Sequence, residues 1–172
     1  GKIGGVSELK NLISALQDKE TRVRESAAMS LGKLGKKEAV FDLLSALSDP
    51  ANSVVCAAAE ALGELKVDEA VEPLISLFSN KDPKIRESAI VALGKFQDNR
   101  AIDPLINSLK DKDERVRWYA ADTLGKTGTK KAVVPLIALL SDESARVRES
   151  TAAALGLIGD ESAVEPLIKV LE

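Results

Sequence analysis

VRESAAMSLGKL at residues 23–34 returns as VVCAAAEALGEL at 54–65, IRESAIVALGKF at 85–96, VRWYAADTLGKT at 116–127 and VRESTAAALGLI at 147–158. Each copy begins 31 residues after the one before it, with no insertion or deletion. Gly1, Gly32, Gly63, Gly94, Gly125 and Gly156 keep the same beat, and so do Pro73, Pro104, Pro135 and Pro166. A period of this size marks a stack of supersecondary units, none of which can bury its apolar face alone.

Inside the repeated stretch the columns of Val23, Ala27, Leu31 and Leu34 barely change, and their spacing is that of one helix face. Ahead of each copy lies a second apolar segment, exemplified by AVFDLLSAL (39–47), AVEPLISLF (70–78) and AVEPLIKVL (163–171). Its apolar residues stand at the i, i+3, i+4, i+7 positions of an amphipathic helix. Four copies place proline in its opening turn, where the missing N–H is tolerated; Asn11 and Asp42 hold that position in the others. Asp49, Asp111 and Asp142 are candidate caps for the second helix, and Gly35, Gly128 and Gly159 are candidate left-handed stops. Short turns make successive helices antiparallel neighbours. The pattern predicts an all-α solenoid in one domain, 1–172. Helix pairs are expected at 5–34, 36–65, 67–96, 98–127 and 129–158, followed by an unpaired first helix at 161–172. The glycines of the Gly32 column lie inside a helix, where each costs about 1 kcal/mol relative to alanine. Their recurrence predicts close helix crossings, so Gly94→Val is expected to lower stability.

These pairs resemble HEAT repeats, in particular the short variety named after the phycobilisome lyase subunits. The resemblance spans essentially the whole chain. It rests on A-V-x-P-L-I in the first helix, V-R-x-x-A-A-x-A-L-G in the second, and an Asp six residues before that Arg. It implies a right-handed superhelix whose second helices line the concave side. It also implies a ladder of acids and arginines between neighbouring units, carried by Asp18/Arg24, Asp111/Arg117 and Asp142/Arg148. Asn80 precedes Arg86 in the third unit and Asp49 faces Val55 in the second, which predicts a weaker joint among the first three units. Such a fold is a scaffold with many uses and does not name a function.

Composition narrows the uses. The formal net charge is -3 and the pI is about 5.2, which argues against a general nucleic-acid or anionic-membrane binder. Lys36-Lys37 and Lys130-Lys131 are basic pairs at predicted turns. No apolar run approaches the length of a membrane span, and no secretion signal opens the chain. The single cysteine, Cys56, has no internal disulfide partner, so a reducing, cytoplasmic setting is expected. Starting at Gly1 without an initiator Met and entering the repeat midway, the chain reads as a fragment or a processed form.

The sequence contains no histidine. Ser–His or Cys–His activation and His-liganded metal sites are therefore excluded. Deoxyhypusine hydroxylase resembles this chain in its repeats but holds iron with His-Glu pairs, which are missing here. The carboxylates recur at repeat positions, and no pair stands out as a catalytic dyad. Gly125-Lys126-Thr127 imitates the end of a phosphate-binding loop, yet Ala120 stands where that loop needs glycine. Cys56 sits in a column with Glu25 and Glu87, so its thiol should keep an ordinary or raised pKa. No catalytic residue, cofactor or metal is expected.

Because the copies act as their own alignment, the freely varying columns mark surface released from packing. They are those of Arg22, Glu25, Ser26 and Met29, on one stripe of the second helix facing away from the core. Across copies they read Arg22, Ser53, Lys84, Arg115, Arg146; then Glu25, Cys56, Glu87, Trp118, Glu149; then Ser26, Ala57, Ser88, Tyr119, Ser150; then Met29, Glu60, Val91, Asp122, Ala153. The only Trp and Tyr are adjacent on this stripe. Such side chains beside arginine commonly anchor interfaces. A partner-binding patch is therefore expected at Trp118, Tyr119 and Arg115, with Asp122, Glu87, Val91, Lys84 and Glu149 around it. The alternative is that the aromatic pair only covers neighbouring helix stems.

The function expected is a non-enzymatic scaffold that binds a protein or peptide. Its rivals are a lyase-type or accessory subunit acting on bilin attachment, which the resemblance suggests, and an engineered repeat. Val164, Leu167, Ile168 and Leu171 leave an apolar flank on helix 161–172, so self-association there is a further expectation, while Glu8 in an alanine column resembles a cap.

Overall fold

The computed structural model describes residues 2–171, with side chains for 7–169; Gly1 and the Leu171 side chain lie outside the described residues. The described residues form α1 (Lys2–Ala15), α2 (Thr21–Leu34), α3 (Val40–Ala46), α4 (Asn52–Leu65), α5 (Val71–Ser76), α6 (Pro83–Gly94), α7 (Ile102–Ser108), α8 (Glu114–Thr127), α9 (Val133–Leu139), α10 (Ala145–Ile158) and α11 (Val164–Leu171). From α3 onward each odd-numbered helix is entered through a 3₁₀ turn ending in a buried alanine: Ala39, Ala70, Ala101, Ala132 or Ala163. This turn shortens the first helices and leaves their prolines as third residues, where no intrahelical N–H is needed.

The chain is an all-α helical-repeat solenoid in type. It divides into two compact units, Gly1–Phe96 with α1–α6 and Gln97–Glu172 with α7–α11. In the first unit α2, α4 and α6 pack side by side, while α1, α3 and α5 each pack on the helix that follows. In the second unit α8 packs on α10, with α7 and α9 on their own partners. The core is built from the constant columns: Leu31, Leu62, Leu93, Leu124 and Leu155 are at most 1% exposed. The first copy departs from this. Val23 is 39% and Leu34 50% exposed, because α2 has a second-helix neighbour on one side only.

The helical glycines mark where backbones touch. A Cβ on Gly32 would lie 2.7 Å from Ala61 Cα, one on Gly63 2.9 Å from Ala92 Cα, and one on Gly125 2.7 Å from Ala154 Cα. Gly156, in the same column, has nothing within 4 Å. Gly35, Gly128 and Gly159 stop their helices at φ of 63°, 66° and 67°. Lys66 and Gln97 adopt the same region in the intervening copies, at φ 49° and 54°.

Caps and ladder differ from the sequence reading in an informative way. The helix caps are Asp82, accepting from Lys84 N–H, and Asp113, accepting from Arg115 and Val116 N–H. Asp49, Asp111 and Asp142 instead close the preceding turn, each accepting the N–H two residues on at 2.9 Å. Asp18 and Asn80 do the same. Each ladder arginine has two tasks. Its Nη1 donates to the carbonyl six residues back, at 2.8 Å for Arg24, Arg86, Arg117 and Arg148 alike. In Arg24 and Arg117 the outer edge also reaches the acid 25 residues on. Arg24 binds both Asp49 oxygens at 2.7 and 2.9 Å, and Arg117 binds both Asp142 oxygens at 2.8 and 2.9 Å.

Of the joints among the first three units, where a weaker one is expected, the first carries a full bidentate pair. The next joint lacks one, because register sets Val55 against Asn80. Asn80 still closes its turn, which needs only a neutral acceptor. Loss of the guanidinium at 55 and of the acid charge at 80 is one change at one joint, and no unpaired buried charge results. Asn52 Nδ2–Asp82 Oδ2 at 2.5 Å and Lys95–Glu64 at 2.6 Å link α4 to the third repeat instead.

Candidate partner-binding site

In the first unit the varying stripe forms a groove. About 350 Å³ of space lies over α2, α4 and α6, floored by Met29, Gly32, Ala57, Ala61 and Val91 and rimmed by Lys33, Glu60, Glu64 and Lys95. The floor is shallow over Gly32 and Ala61 because that crossing is tight. Met29 is 41% exposed and Val91 half-buried, so apolar surface faces solvent between charged side chains. Lys95 binds Glu64 across the rim, and that hydrogen bond, reinforced by the charge, holds the Glu64 carboxyl below its ordinary range. Small apolar pockets edged with both signs of charge suit a protein segment. Sequence reasoning placed Met29, Glu60 and Val91 in one column. It missed Gly32, whose column is constant for packing, and Ala61, whose column holds only Ser, Ala and Thr; both nonetheless face the groove.

The stripe is not uniformly free. Arg22, Ser53, Lys84, Arg115 and Arg146 are exposed, but Glu25, Cys56, Glu87, Trp118 and Tyr119 are half-buried and Ala57 is buried. Cys56 lies against Ser88 of α6, and Trp118 against Arg146 and Ser150 of α10. Burial pushes the Cys56 thiol up, and its hydrogen bond with Ser88 opposes this.

In the second unit Trp118 and Tyr119 have ring centroids 4.1 Å apart at an interplanar angle of 43°. The Arg146 guanidinium, from α10, sits 3.6 Å above the Trp118 ring, and Ser150 Oγ donates to the Trp118 carbonyl at 3.4 Å. One face of the indole is thus taken by a cation–π contact inside the fold. Arg146 was not among the expected patch residues. It stands 28 positions after Trp118 in the Arg115 column, and that offset is the signal that would have found it. Asp122, half-buried, pairs with Lys126 at 2.6 Å, and Glu149 is exposed. Lys84, Glu87 and Val91 belong to α6 of the first unit.

HEAT repeats match the chain over residues 1–58, 42–117 and 102–172, which together run its full length. The chain belongs to the HEAT-repeat family. Among solved structures, a chain in the complex of CpcE and CpcF of phycocyanin lyase from Nostoc sp. PCC7120 superposes on this HEAT-repeat chain with a TM-score of 0.78 at 26% identity. That match covers 90% of this chain and 66% of the other, so the chain spans just under two thirds of the length of its relative. YibA of Escherichia coli gives a TM-score of 0.78 at 24% identity, over 99% of this chain and 64% of that one. A designed armadillo repeat protein in complex with the peptide (KR)4 gives 0.67 at 19%, over 95% and 87%. The last two speak to the fold alone. No curated protein matches the chain in sequence. No helix among the described residues is long and apolar enough to cross a membrane.

Proposed function

We propose that this HEAT-repeat chain is a non-enzymatic scaffold that holds a segment of a partner protein on the face made by its second helices. The observation that carries the reading is the groove over α2, α4 and α6, whose open floor includes Met29 and Val91 from the freely varying columns. Tyr119, Arg115, Asp122 and Glu149 around Trp118 form a second contact region on the second helices of the other unit, with Arg146 fixing the indole. Selection of a displayed peptide library on the immobilised chain tests the idea. Enriched peptides should lose binding to a Met29→Glu/Val91→Glu variant that melts like the parent. Peptides that bind parent and variant equally would contradict it.

A second reading is favoured by the likeness to a chain of the phycocyanin lyase complex, at 26% identity. In it the protein is an accessory or lyase-type subunit acting on bilin attachment. Incubation with bilin and a phycobiliprotein, followed by absorbance, separates the two. A chain-dependent chromophore signal would establish the second reading.

A further inference from the structure

The charges around the groove over α2, α4 and α6 are not equivalent. Lys95 and Glu64 bind each other at 2.6 Å. Lys33 stands one helical turn beyond Met29, in the outer row that it shares with Glu64 and Lys95. Glu60 is exposed and lies in the inner row, at the position that Met29 holds on α2 and Val91 on α6. Among the described residues no cation pairs with it. Its exposure does not come from a missing neighbour, because α4 has a second helix packed on either side, α2 and α6.

The surface beside Glu60 is small and apolar. Ala57 and Ala61 are 6% and 3% exposed and form a low floor between the Met29 and Val91 side chains. An aliphatic stem can lie on such a floor with a charged head at its end. That head must be positive. Burial raises the Cys56 thiol, one turn away on α4; Ser88 opposes the rise, but the charges of Glu60, Asp82 and Glu87 add to it, so the field over this stretch of α4 is negative.

The spacing of the row selects the backbone that can cross it. Met29, Glu60 and Val91 occupy one column of successive repeats, and packed helices lie about 8–10 Å apart. A polyproline II segment turns once in three residues and advances about 9 Å in doing so. Its first, fourth and seventh side chains therefore face one way at the pitch of the repeats. In a β-strand the side chains on one face recur every about 7 Å, and they drift out of register with the helices.

We infer that the groove binds a polyproline II segment of a partner protein that carries an apolar residue, then arginine or lysine three positions on, then an apolar residue three positions further. The cation sits on Glu60 and the apolar side chains on Met29 and Val91. This inference rests on the groove being the partner-binding face, and it names the chemistry of the partner.

Fluorescein-labelled Leu-Pro-Pro-Arg-Pro-Pro-Leu is the probe, titrated with the whole chain and read by anisotropy. Binding should saturate below about 1 mM, and Leu-Pro-Pro-Glu-Pro-Pro-Leu should bind at least about tenfold more weakly. Leu-Pro-Arg-Pro-Pro-Pro-Leu, of the same composition but the wrong spacing, should also bind more weakly. Glu60→Lys exchanges two good helix formers at an exposed site, so it should melt like the parent while reversing the order of the Arg and Glu peptides. Failure to saturate by about 1 mM, equal binding of the three peptides to the parent, or an order that Glu60→Lys leaves unchanged would overturn the inference. The display selection keeps the two readings apart. Enriched peptides that depend on Met29 and Val91 but lack the spaced basic residue would overturn this inference and leave the scaffold reading standing. Enriched peptides indifferent to Met29 and Val91 would overturn the scaffold reading and this inference with it.

Discussion

Gly125 and Gly156 offer a comparison in which local sequence effects cancel. Each is the third residue from the end of a fourteen-residue helix in the same compact unit. Alanine at either site gains up to about 1 kcal/mol of helix propensity, somewhat less near a helix end. At Gly156 nothing opposes that gain, so Gly156→Ala should stabilise by about 0.5–1 kcal/mol. At Gly125 the new Cβ would lie 2.7 Å from Ala154 Cα and 2.8 Å from Ala154 Cβ. Those atoms belong to backbone or are fixed to it, so α8 and α10 must move apart rather than a side chain turn away. Overpacking of this kind costs about 1–3 kcal/mol, and the rigid obstacle places it at the upper end. Gly125→Ala should therefore destabilise by about 1–2 kcal/mol, leaving the two variants about 2–3 kcal/mol apart. Urea unfolding followed by circular dichroism gives the midpoints, and hydrogen exchange at α8 and α10 checks the result where a repeat array departs from two-state behaviour. If both substitutions moved stability in the same direction by similar amounts, the close-crossing explanation of these glycines would fail.

Thr151 fills an alanine column, is fully buried, and its Oγ1 has no hydrogen-bond partner. Thr151→Ala should raise stability by about 1–2 kcal/mol in thermal melts, and a loss would mean that the hydroxyl is satisfied. Arg117→Met should cost about 1–3 kcal/mol, between the values for exposed and buried pairs, because it breaks two bonds to Asp142 and strands a carboxylate that is 8% exposed. Burial alone would push the Asp142 carboxyl up, but Arg117, the Ser144 N–H and Arg148 together hold it below its ordinary value. That depressed value means its contribution is complete above about pH 4 and is lost as pH falls further, so Asp142→Asn should flatten the acid limb of the stability profile. Trp118→Ala should lower stability by about 1–3 kcal/mol, less than for a fully buried indole; an unchanged melt would show that the ring serves partners only.

The 31-residue beat made the helices, their order, the glycine crossings and three of the left-handed stops legible, because each depends on residues that recur at one position of most or all copies. What escaped were relations between successive repeats. The carboxylate clasped by Arg24 lies 25 residues on, in Asp49, so a reading confined to one repeat pairs the wrong ends. Val55 and Asn80 looked like two defects for the same reason. Asp111 and Asp113 both precede α8, and only backbone geometry decides that the first closes the turn while the second caps the helix. At the candidate site, variability identified the stripe but not its depth. Trp118 stood out for its type, yet its ring is partly engaged by Arg146, whereas the unremarkable Met29, Ala57 and Val91 floor the open groove.

The measurement that bears most directly on the scaffold reading is methyl cross-saturation from a bound, library-selected peptide onto the isotope-labelled chain. The account predicts transfer to the methyls of Met29, Ala57, Ala61 and Val91, with those of Val40, Leu43 and Val71 on the first helices silent. Transfer confined to the first helices, with the groove methyls unaffected, would contradict it.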